Sequence, residues 1–92
     1  MATVRNNIYM NYALAQAINS DPVANQIFQT LLESSSLSGW ALAKTTNASP
    51  EEIDQALNML VKHGVIGSQG TGLEAFYYVT AQGYQLRSSA LA

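Results

Sequence analysis

Apolar positions along the chain recur at two different intervals, and the change from one to the other divides the sequence into a helical part and an extended part. From Asn6 to Asn19, Ile8, Tyr12, Ala15 and Ile18 follow one another at steps of four, three and three. That spacing lays them along one side of a helix. Ser20-Asp21-Pro22 then offers a capping residue followed by proline, whose missing N–H costs nothing at the first helical position. Beyond it Val23, Ile27, Phe28, Leu31 and Leu32 form a broad apolar stripe that ends at Ser34-Ser35-Ser36. Leu37-Ser38-Gly39 reads as an extended link into a brief third helix, Trp40 to Thr45, with Trp40, Leu42 and Ala43 expected to face inward.

The strongest local signal follows the turn at Thr46-Asn47-Ala48. In Ser49-Pro50-Glu51-Glu52 the serine can accept from the backbone N–H three residues on while Glu52 reaches back, a capping box with proline at the first helical position. Ile53, Ala56, Leu57, Leu60 and Val61 continue the helical period, and Gly64 stands where a left-handed C-terminal residue is wanted. The helix is expected over Pro50 to His63. After Gly64 the period becomes two: Val65 to Gly67 predicts a short strand, Gln69 to Gly72 a glycine-rich hairpin loop, and Leu73 to Thr80 the returning strand. Leu73, Ala75, Tyr77 and Val79 share its inner face, whereas Phe76 and Tyr78 lie on the other. Ala81 to Leu91 predicts a last short helix, weakened by Gly83. The core expected from these patterns is Ile27, Leu31, Leu42, Ile53, Leu57, Leu60, Val61, Ile66, Tyr77 and Val79.

Ninety-two residues suffice for one core and not for two, so residues 1–92 are expected to form a single domain. Charged residues make up 11% of the chain, against about 25% in ordinary soluble proteins. Four cations, Arg5, Lys44, Lys62 and Arg87, face six carboxylates, for a net charge of -2. A specific DNA-binding protein commonly neutralises about 6 to 10 phosphates. These scattered cations fall short of that number. The sequence has no apolar stretch of bilayer length and no apolar leader, which predicts no membrane partner and a cytoplasmic setting. It has no cysteine and hence no thiolate chemistry.

The order of elements, with Leu42-Ala43-Lys44 before a turn, then Ser49-Pro50-Glu51-Glu52-Ile53, Leu57, Leu60-Val61 and Gly64-Val65-Ile66, resembles the winged helix-turn-helix superfamily of MarR-, PadR- and ArsR-type regulators. Thr80-Ala81-Gln82-Gly83 is similar to the T-x-x-G step that often opens the next helix there. The resemblance implies an α+β fold in which a helical core carries a small antiparallel β-hairpin wing, with residues 22–87 as the core and 6–19 as an additional helix. It also implies that Pro50 to His63 is the recognition helix, presenting Glu51, Glu52, Gln55, Asn58 and Lys62, and that Gly67 to Gly72 is the wing tip, presenting Ser68, Gln69 and Thr71.

This sequence departs from a DNA-binding member where DNA would be touched. Glu51, Glu52 and Asp54 occupy the N-terminal turns of that helix, where base-reading residues stand, and the wing tip carries no cation. Catalysis is unsupported. Gly70-Thr71-Gly72-Leu73-Glu74-Ala75 matches a dinucleotide-binding pattern, but a strand follows it instead of the helix whose N–H groups would meet the pyrophosphate. His63 has no second ligand at metal spacing, so neither a metal nor a cofactor is expected. Two functions remain: a protein-interaction or regulatory adaptor module, and a dimeric DNA-binding regulator. Charge favours the first. Tyrosine-rich surfaces with few charges suit protein interfaces. Ile8, Tyr9, Tyr12, Ile18 and Tyr84 are therefore the candidates for self-association, either partner being a second copy or another protein.

Overall fold

The computed structural model describes residues 13–86, of which 13–20 form helix α1. They are followed by α2 (Pro22–Glu33), β1 (Leu37–Ser38), α3 (Gly39–Thr46), α4 (Pro50–Lys62), β2 (Ile66–Gln69), β3 (Phe76–Val79) and α5 (Ala81–Leu86). Helices α2, α3 and α4 each begin where a side chain takes over orphan N–H groups of the first turn. Asp21 Oδ1 accepts from the N–H groups of Val23 and Ala24 at 3.1 and 3.2 Å, and Ser38 Oγ accepts from Ala41 N–H at 3.1 Å. At α4 both halves of the capping box form: Glu52 N–H donates to Ser49 Oγ at 3.2 Å and Ser49 N–H donates to Glu52 Oε1 at 3.1 Å. His63 is the C-terminal cap rather than the last helical residue, and Gly64 follows with φ 78°. Asn47, at φ 58°, closes α3 in the same left-handed conformation.

One core joins these elements. Ile27, Phe28 and Leu31 from α2, Leu42 from α3, Ile53, Leu57 and Leu60 from α4, and Leu86 from α5 are fully buried, with Ile66, Tyr77 and Val79 closing it from the sheet. Ala15 and Ile18 of α1 belong to the same cluster. Two residues expected to face inward do not. Val61 is 37% exposed because it lies at the margin of the α4 stripe, about 80° round the helix from Ile53 at 100° per residue. Trp40 lies about 200° from Leu42 on the same rule, so burying Leu42 turns the tryptophan outward.

The sheet has three strands where the sequence pattern predicts a hairpin. Leu37-Ser38, read from sequence as a link, pairs antiparallel with Tyr77 and Phe76, giving the order β1-β3-β2 with β3 in the middle. β2 runs further than predicted, to Gln69, and β3 starts later, at Phe76. The reason lies in Leu73 and Ala75. Their carbonyls accept from the N–H groups of Trp40 and Gly39 at 2.9 and 3.1 Å, so this stretch lies against the start of α3 before the ladder with β2 begins.

Gly83 is required in α5 rather than merely tolerated. A β-carbon there would stand 2.2 Å from the Val65 carbonyl oxygen. Thr80 explains the whole T-x-x-G step: its hydroxyl donates to Gly64 O at 2.6 Å and accepts from Gly83 N–H at 3.1 Å, fixing α5 to the end of α4. The predicted continuation of this helix to Leu91 lies outside the described residues, as do residues 6–12 of the first helix.

Candidate functional site

Burying Ile53, Ala56, Leu57 and Leu60 forces the opposite side of α4 into solvent. Glu51, Glu52, Gln55, Asn58 and Lys62 are all exposed there, and Glu51, Gln55, Asn58 and Lys62 follow one another at steps of four, three and four along one stripe. Glu52 is held by its cap bond to Ser49, so its carboxylate stays at the helix start. Asp54, expected with Glu51 and Glu52 where base-reading residues stand, is half-buried instead and close enough to act on Tyr77 of the sheet. Burial chiefly, and the Asp54 carboxylate secondarily, push the Tyr77 phenol above its ordinary range. The phenol donates to Gly72 O at 2.8 Å and so ties the base of the hairpin loop to β3.

At the hairpin tip Gln69 and Thr71 are exposed and Ser68 is half-buried, its hydroxyl donating to Gly70 O at 3.1 Å. Neither lysine of the described residues lies there. Lys44 is on α3 and Lys62 in the last turn of α4, while all six carboxylates of the chain fall within 13–86, so the described residues set Lys44 and Lys62 against six acids. Among the described residues no group of three His, Cys, Asp or Glu converges in a way that could hold a metal ion, and no helix is long and apolar enough to cross a membrane.

Of the expected self-association residues, Ile18 and Tyr84 lie among the described residues. Ile18 is fully buried inside its own domain and presents nothing to a second copy; Tyr84 is exposed on α5; Ile8, Tyr9 and Tyr12 lie outside the described residues. Besides Tyr84, the described residues expose Val61 at the margin of α4, Trp40 on α3, and Phe76 and Tyr78 on the outer face of β3. Strict alternation along β3 signals the last two. Trp40 is legible only from its angle to Leu42.

The sequence matches no protein-family model and no curated protein. The structure is similar to the crystal structure of a MarR family transcription regulator, with a TM-score of 0.66 at 15% sequence identity, over 96% of this chain and 60% of that one. The chain thus spans less than two thirds of the regulator it resembles. With its helix pair, capped second helix, antiparallel wing and closing helix, the fold of this chain is that of a winged helix-turn-helix domain.

Proposed function

We propose that the domain is a non-enzymatic winged-helix module that binds protein, with little intrinsic affinity for duplex DNA. The observation that carries this reading is the outward stripe of α4, where Glu51 and Glu52 stand in the first turn and the only cation, Lys62, stands in the last. Two carboxylates at the end of the helix that would enter a groove are repelled by phosphates, and the hairpin tip offers nothing in compensation. Even a dimer brings eight Lys and Arg against twelve Asp and Glu, twice the counts of one chain.

Titration with random-sequence duplex over a range of salt tests it. Negligible binding near physiological salt and a shallow salt slope are expected, since few counterions are released. Changing Glu51 and Glu52 together to glutamine should raise any residual DNA affinity while weakening the cap modestly. Tight binding by the unaltered protein at low salt, with a steep slope, overturns the reading.

The second reading, a dimeric DNA-binding regulator, is favoured by the likeness to a transcription regulator and by Gln55 and Asn58, whose amides can read adenine edges. It needs self-association to span two half-sites. The exposed Tyr84 and the helix expected over 6–19 are its proposed contacts, and sedimentation at rising concentration decides: a strictly monomeric species removes it.

A further inference from the structure

We draw no further inference here: the strongest candidate, the exposed aromatic patch of Phe76 and Tyr78 on the outer face of β3, is an unpartnered apolar face, and nothing in the structure shows what covers it.

Discussion

On the inner face of β3, Tyr77 is buried and its hydroxyl donates to the Gly72 carbonyl, whereas on the outer face Phe76 and Tyr78 meet solvent, Tyr78 with one side of its ring against Gly67 of β2. Four consecutive residues, Phe76-Tyr77-Tyr78-Val79, thus carry rings to both sides. What separates them is the layer opposite. α2 packs on β3 from within, so Tyr77 and Val79 join the core, while the outer side faces only Ser38, Gly67 and Gln69 across the sheet. An aromatic strand residue thus stabilises the fold through the layer it meets rather than through its own area. A tyrosine on the inside also has a polar end to satisfy, and Tyr77 does so by reaching the loop.

Truncating a ring on each face of β3 should have unequal effects. Tyr77→Ala should cost about 3 to 4 kcal/mol in urea unfolding through lost burial and the cavity left behind. Next comes the backbone contact behind the inner face: Gly83→Ala places a β-carbon against the Val65 carbonyl, which cannot swing aside, and should cost about 2 to 3 kcal/mol. Tyr77→Phe keeps the ring and removes one hydrogen bond, an effect of about 1 kcal/mol. The smallest effect belongs outside. Phe76→Ala should change stability by under about 0.5 kcal/mol, and a larger loss would mean that the outer face is covered within the chain.

Alkaline pH acts on the fold through Tyr77. Its folded-state value lies above the ordinary 10.0, so the neutral phenol's contribution is complete below about pH 10 and is lost as pH rises through the raised value. Thermal melts across that window should show a stability loss in the unaltered protein that is smaller in Tyr77→Phe. Asp54→Asn should move the end of that loss slightly downward in pH, because the carboxylate is the lesser of the two causes that raise the phenol's value.

Much of the helical half was legible because its signals are local. Asp21-Pro22, Ser49 with Glu52, and Gly64 act within a turn of where they stand, and each forms the bond or conformation its neighbours imply. β1 was not legible: two residues have no period, and the partners of Leu37 and Ser38 lie across α3 and α4 at Tyr77 and Phe76. The true start of β3 was hidden for the same reason, since the carbonyls of Leu73 and Ala75 are claimed by residues of a distant helix start. At the candidate site, the exposure of Glu51, Glu52, Gln55, Asn58 and Lys62 followed from the stripe opposite them. Burial of Ile18 did not, because an amphipathic helix shows which side is covered and not what covers it.

The Thr80 hydroxyl, placed between Gly64 O and Gly83 N–H, has a consequence for how the molecule opens. Thr80 N–H also donates to Val65 O at 3.1 Å, and Val65 N–H donates to Leu60 O at 3.2 Å. One junction therefore links the end of α4, the start of β2 and the start of α5. Amide protons at Val65, Thr80 and Gly83 should exchange with solvent only through the global unfolding event, while those around Gly70 and Thr71 exchange through local fluctuations of far lower free energy. The hairpin tip can then sample many shapes in a partner's presence without loosening the helix on which it is mounted.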